Sequence, residues 1–332
     1  MTTTTEMRMI TTTDYLLAHP LALYCLSLDP DKDYSVSELY PYVNAFIEKA
    51  AETLCEYVRS IGCEKFVLGL SGGLDSSFVA LVANRALQLL GKPSANLILV
   101  MLPGFGTGKT TSSNAERLIK HFGSSHMVID IKELCTLAMK GIGIDENDRT
   151  TAFENIQARI RTTLLLTLAN KENALELGTG DYSEGAVGWC TYGGDNISSY
   201  NINMFIPKSL LRLVMFVKGV QDNMGFLKDI ATVPITPELL PSSCEFSQKT
   251  EDVIGEYDLI DYLLYEKVVL KNNREKSIEN AINYNRIITS KNGDKRREYI
   301  LRYSDVFYNR LDTQWYKRLP CPHPALTPLT SW

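Results

Sequence analysis

Residues Glu64–Ser77 read EKFVLGLSGGLDSS. Glu64–Leu70 is a short apolar run closed by a glycine-rich turn, the pattern of a strand buried on both faces of a parallel sheet. Asp75–Leu90 reads as a helix, so Leu70–Ser77 stands where strand turns into helix. Gly72 and Gly73 let the backbone adopt positive φ and approach an anion. The N–H groups of the turn and the helix dipole favour phosphate there. Ser71, Ser76 and Ser77 add hydroxyl donors, and Asp75 is a hard oxygen ligand suited to Mg²⁺. An N-capped helix after a tight turn accounts for one glycine and one serine. It does not account for two glycines and an acid among three serines.

Working outward, Asn96–Leu102 is a second buried strand, followed by a Gly/Thr loop at Gly104–Thr111 and a helix from about Ser113 to Phe122. A third strand fits His126–Ile131. Asn155–Lys171 carries Ile156, Ile160, Leu164, Leu165 and Leu168 as the stripe of an amphipathic helix. Leu175–Thr179 reads as a fourth strand. Strand alternating with helix implies an α/β fold, a doubly wound parallel sheet whose ligands bind beyond the carboxyl ends of its strands. From about Lys208 the pattern is helical, with helices expected at Ser209–Val220, Asp258–Leu270, Ser277–Thr289 and Glu298–Asp312. Pro234, Pro237 and Pro241 punctuate a loop, and four prolines in the last fifteen residues make the terminus an extended tail. Residues 1–40 read as a loosely structured lead-in to one domain spanning 41–332.

The 332 residues are 45% hydrophobic and 22% charged, which excludes wholesale disorder. No apolar run is longer than that of Leu97–Leu102, far short of the ~20 residues that cross a bilayer, and the N-terminus lacks the basic n-region of a signal peptide. A net charge of −5 argues against a broad nucleic-acid binder. Seven scattered cysteines without a C-x-x-C pair favour a reducing cytoplasm over a disulfide framework or zinc cluster. The four histidines show no ligand spacing.

Gly104–Thr111, GFGTGKTT, imitates a kinase-type phosphate loop. That motif needs a glycine five residues before Gly108, where this chain has Pro103, so Lys109 lacks its cradle. A loop reaching over a bound nucleotide is the better reading.

SGGLDSS is similar to the pyrophosphate-binding loop of the ATP pyrophosphatase superfamily, whose members cleave ATP between the α and β phosphates and adenylate a substrate. Gly178–Asn196 (GTGDYSEGAVGWCTYGGDN) and Phe153–Arg161 (FENIQARIR) resemble the NAD synthetase family within it, in particular the synthetase portion of the glutamine-dependent branch. Ile206–Lys208, Ile235–Leu240, Gln248–Tyr257 and Gln314–Arg318 continue the match in order, over roughly residues 35 to 332.

The resemblance implies an adenine nucleotide alpha hydrolase-like fold with extra C-terminal helices. It implies the amidation of deamido-NAD to NAD, with ATP as co-substrate, through an adenylate. On it, Asp75 and Glu184 hold Mg²⁺, while Ser71, Gly72, Gly73, Ser76 and Ser77 hold the departing pyrophosphate. Lys208 neutralises charge at the α-phosphate, Thr236 donates to it, and Asp195 orders ammonia and takes its proton. Thr179 and Asp181 help read the nucleotides. Arg159 corresponds to a nucleotide-contacting arginine, although Arg159 and Arg161 also read as solvated ion-pair partners. Trp189 and Tyr192 lie near deamido-NAD or serve as core aromatics.

A homodimer with Asn155–Lys171 at its interface is expected from the family. About forty residues precede the match, too few for the glutaminase domain of that branch. Free ammonia, a separate glutaminase partner, or a fragment of a longer chain each account for this. An RNA-modifying adenylating enzyme is disfavoured by the net charge and the missing C-x-x-C. A nucleotide sensor would not need Asp75, Glu184, Lys208 and Asp195 together.

Overall fold

The computed structural model describes residues 17–145, 148, 150–232, 250–284, 293–318 and 329. The sheet has five parallel strands, β1 (Phe66–Gly69), β2 (Leu97–Met101), β3 (Ser125–Val128), β4 (Leu175–Gly178) and β5 (Tyr200–Asn201), ordered β3-β2-β1-β4-β5. The order reverses between β1 and β4, which opens a crevice at their carboxyl ends. β5 leaves no signature in the sequence, because two residues are too short to show an apolar run.

Alternation along each strand feeds two cores, as a sheet covered on both faces requires. Phe66, Leu68, Leu97, Leu99, Leu175 and Leu177 face one core. That side is built on α2 (Val36–Ile61), α3 (Leu74–Leu89), α4 (Lys109–Phe122) and α8 (Lys208–Gln221). Val67 and Val100 face the other, with α5 (Lys132–Gly141) and α6 (Thr151–Glu172). The expected α6 stripe is buried mainly at Leu168, and Ile156, Ile160 and Leu164 remain partly exposed.

The lead-in departs from expectation. Leu17–Leu28, including α1 (Pro20–Cys25), is packed into the first core, with α1 against α8. The expected boundary at residue 40 falls inside α2, which begins on a Ser35–Glu38 capping box and ends at left-handed Gly62. Threonine-rich neighbours hid an apolar segment whose burial depends on helices far along the chain.

Between β4 and β5 lies the short α7 (Tyr182–Val187). α9 (Gly225–Thr232) packs on α8, and α10 (Thr250–Ile254), α11 (Tyr257–Leu264), α12 (Arg274–Asn283) and α13 (Asp294–Thr313) form the helical C-terminal part. The helix expected over Asp258–Leu270 changes to a π-helical turn at Tyr265–Val269. The proline loop, the tail prolines and residues 285–289 of the expected Ser277–Thr289 helix lie outside the described residues. No described helix is long and apolar enough to cross a membrane.

Candidate active site

β1 delivers the chain to the crevice, and Leu70 N–H still bonds the Val100 carbonyl at 2.9 Å. Gly72 then takes φ +84°, and a β-carbon there would overlap the Thr111 carbonyl oxygen of α4. Glycine is required on both counts. Ser71 Oγ accepts the Gly73 N–H at 3.1 Å and lies 3.1 Å from Ser76 Oγ. Ser77 departs from the expected role: it is fully buried and donates to the Gly73 carbonyl at 2.6 Å, fixing the first turn of α3. The loop borders a cavity of about 310 Å³ lined by Ser71, Asp75, Thr107, Arg161, Thr179 and Asp195, among others.

Beside this cavity sits a charged cluster. Lys208, at the start of α8, is fully buried, with its ammonium 2.8 Å from Asp75 Oδ1 and 3.0 Å from Glu184 Oε1, and also ion-paired with Asp181 Oδ2. Asp181 caps α7 by accepting the Glu184 N–H at 2.8 Å, which turns Glu184 toward Lys208. Burial, then the neighbouring Glu184, raises the Asp181 pKa; burial pushes Glu184 up to about 7 against the pull of Lys208. Burial would lower Lys208, but Asp181, Asp75 and Glu184 outweigh it and hold its pKa well above the ordinary value.

One ammonium faces three carboxylates, so ionisation of all three leaves two negative charges uncompensated. Their ligand oxygens lie within 4.8 Å of one another. A hard divalent cation such as Mg²⁺ fits that charge and that donor set. Asp181, expected beside a dinucleotide, is instead enclosed here with no exposed side chain.

The other expected residues fall around the cavity in different ways. Asp195 lines it and accepts the Thr191 N–H at 2.6 Å, while burial raises its pKa against that bond. Thr179 lines it too, its carbonyl accepting from Asn203 Nδ2 at 3.0 Å. Arg159 is exposed, and its Nε donates to the Tyr192 carbonyl at 3.2 Å. Arg161 is the arginine that reaches the cavity, with Nε on the Leu102 carbonyl at 3.1 Å. Trp189 is partly buried under the Arg310 guanidinium, and exposed Tyr192 packs near Tyr316. Thr236 lies outside the described residues. Burial pushes the Cys190 thiol up to about 12, the behaviour of a packed, unreactive cysteine.

A model of the family described as NAD synthase matches residues 46–298. The chain belongs to the NAD synthase family. It is 40% identical over 220 residues to the glutamine-dependent NAD(+) synthetase of Mycobacterium leprae (strain TN), covering 63% of this chain and 32% of that protein. It is 32% identical over 251 residues to the NH(3)-dependent NAD(+) synthetase of Aeropyrum pernix, covering 75% of this chain and 80% of that one. A glutamine-dependent NAD(+) synthetase structure from Cytophaga hutchinsonii shares the fold, with TM-score 0.67 and 18% identity, over 85% of this chain and 50% of that chain. The chain thus spans about a third of the length of the glutamine-dependent mycobacterial relative.

Several residues of this NAD synthase family member reach the site without having been singled out from sequence. Gln157 is fully buried, and its Oε1 accepts the Phe105 N–H at 3.2 Å, tying α6 to the loop after β2. Glu176 lines the cavity from β4. Tyr257 donates to Glu184 Oε1 at 3.3 Å. At the far end of α7, Arg310, Lys317 and Arg318 bond the carbonyls of Val187, Gly188 and Gly185 at 2.7, 3.0 and 3.1 Å, complementing the negative end of that helix. The available signal was polar residues on otherwise apolar helical faces, such as Asp261 in YDLIDYLL.

Proposed function

We propose that this chain converts deamido-NAD to NAD using ATP and ammonia, releasing AMP and pyrophosphate. The observation that carries this reading is the buried Lys208–Asp75–Asp181–Glu184 cluster beside a glycine–serine loop at the sheet's switch point, in a chain of the NAD synthase family. Similarity to the archaeal relative over most of both chains supports ammonia as the nitrogen donor.

The nicotinate carboxylate attacks the α-phosphorus of ATP, the bond to the β-phosphate oxygen breaks, and pyrophosphate leaves. Ammonia then attacks the activated carbonyl, loses a proton, and expels AMP. Ser71, Ser76 and the N–H groups around Gly72 and Gly73 receive the pyrophosphate. Lys208 offsets the negative charge that develops at the α-phosphate. Asp195, whose burial makes it a stronger base than an exposed aspartate, takes the proton from the incoming nitrogen. Thr236 is assigned a donor role to the same phosphate by its position in the family motif. Asp75 and Glu184, with Asp181 behind them, would hold Mg²⁺, which supplies charge neutralisation on the phosphates when bound. Arg161 and Thr179 contact ATP from the cavity wall, while Arg159, Trp189 and Tyr192 form the approach for deamido-NAD.

We infer a homodimer that uses the partly exposed apolar face of α6, and a reducing cytoplasmic setting, which the unpaired Cys25, Cys55, Cys63, Cys135 and Cys190 support. A separate glutaminase could supply ammonia without altering these steps. The deciding assay supplies MgATP and ammonium and follows AMP and pyrophosphate. Release that depends on deamido-NAD, with matching NAD, is expected; release without it, or none, overturns the reading. Sedimentation of the purified chain as a strict monomer with full activity would refute the dimer.

A further inference from the structure

Helix α8 begins at Lys208 behind Pro207, an N-cap residue with no side-chain oxygen for the first N–H groups. The Leu210 and Leu211 N–H groups donate to the Pro207 carbonyl at 3.0 and 3.1 Å, whereas the first two are satisfied from outside the helix. Ser209 N–H donates to Asp261 Oδ2 at 2.7 Å, and Lys208 N–H donates to Ser183 Oγ at 2.8 Å. The Ser183 hydroxyl in turn donates to Asp261 Oδ1. One fully buried carboxylate on α11 therefore ties the start of α8 to α7, at the residue just before Glu184.

The same face of α11 carries Tyr257 one turn earlier. Its ring centre lies 5.1 Å from the Lys208 ammonium, and its hydroxyl donates to Glu184. A hydroxyl or amide at position 207 would cap α8 locally without burying a charge. What the remote aspartate adds is register between two helices that each bring one charged group to the site. Burying a carboxylate is costly unless both oxygens are satisfied, as they are here.

We propose that Asp261 is a positioning residue, an N-cap supplied in trans that sets where the Lys208 ammonium stands relative to Asp75 and Glu184. Its catalytic consequence rests on the function proposed above; its geometric consequence does not. In Asp261→Asn one oxygen becomes an NH₂ group, so either the Ser209 N–H or the Ser183 hydroxyl loses its acceptor.

The test uses full-length protein with ¹⁵N-labelled lysine. The buried Lys208 ammonium, shielded by three carboxylates, should give a slowly exchanging NH₃⁺ resonance, assigned by its loss in Lys208→Arg. In folded Asp261→Asn that resonance should shift and exchange faster. NAD formation should lose about 10- to 100-fold in kcat, with the KM for ATP changed by less than about threefold, as for displacement of a group acting in the transition state. Ser183→Ala should act in the same direction, and it decides the matter if Asp261→Asn does not fold. An unmoved Lys208 resonance and wild-type kcat in a folded variant overturn the proposal. A wild-type protein that makes no NAD, but whose Lys208 resonance responds to both substitutions, refutes the proposed activity and upholds the positioning role.

Discussion

Replacing Glu176 by glutamine removes a titratable charge from the cavity face of the sheet. Glu176 stands on β4 opposite Val67, 4% exposed, with Oε2 accepting the Ser199 N–H at 2.8 Å. Burial raises its pKa from 4.5 to about 7, against the opposing pull of that N–H. Between those two values the unfolded chain has released the proton while the folded protein still holds it. Folding stability therefore falls as pH rises through this window, and the cost is complete above about pH 7. At about 1.4 kcal/mol per pH unit, the loss between 4.5 and about 7 is on the order of 3 kcal/mol. Glutamine keeps an oxygen for Ser199 N–H and has no proton to release. Urea unfolding of wild type and Glu176→Gln at pH 5 and pH 8 should show the variant gaining relative stability by on the order of 2 kcal/mol at the higher pH. A difference that does not change with pH would refute the assigned titration.

Asp75→Asn should leave the fold intact by circular dichroism and lower NAD formation by about 10²–10³ at saturating Mg²⁺, since it removes one charge from the carboxylate cluster proposed to hold the metal; near wild-type turnover would sink that assignment. Gly72→Ala forces a side chain into positive φ and onto the Thr111 carbonyl, so thermal unfolding should show a loss of about 1–3 kcal/mol together with weaker ATP binding. With ammonium below saturation, NAD formation should climb from about pH 7 towards 9 as NH₃ replaces NH₄⁺, until ATP binding or a protein group fails. Glutamine alone should yield almost no NAD from the purified chain, and robust production that alkylation of cysteine abolishes would contradict ammonia as the donor.

The glycine–serine turn after β1 was legible because its requirements are local. Two glycines, three serines and an acid at a strand–helix junction identify themselves wherever the chain goes next. β1, β2 and β4 were likewise visible as short apolar runs, with ends within a residue or two of those found. α2 is the element the sequence shows least clearly, although Ser35 and Glu38 form a capping box and Leu39, Val43, Phe46, Ile47 and Ala50 trace one face. Its buried face becomes meaningful only against α3 and α8, which lie far along the chain. Position 159 matched a family arginine, yet α6 turns Arg161 into the cavity and leaves Arg159 bonded to the Tyr192 carbonyl.

By itself the sequence determined the fold class, the glycine–serine turn between β1 and α3 and the ordered motifs that carry the family resemblance, because each depends on neighbours a few residues apart. Tertiary structure decided which charges meet. Asp75, Asp181, Glu184 and Lys208 converge from the start of α3, the N-cap and first turn of α7 and the start of α8, across as many as 133 residues of chain. Asp261 joins them from α11 through the N-terminus of a helix it does not belong to. Coulomb interactions and hydrogen bonds act through a few ångströms of space rather than along the chain. Their partners, and the pKa values they set, exist only once folding has brought those elements together.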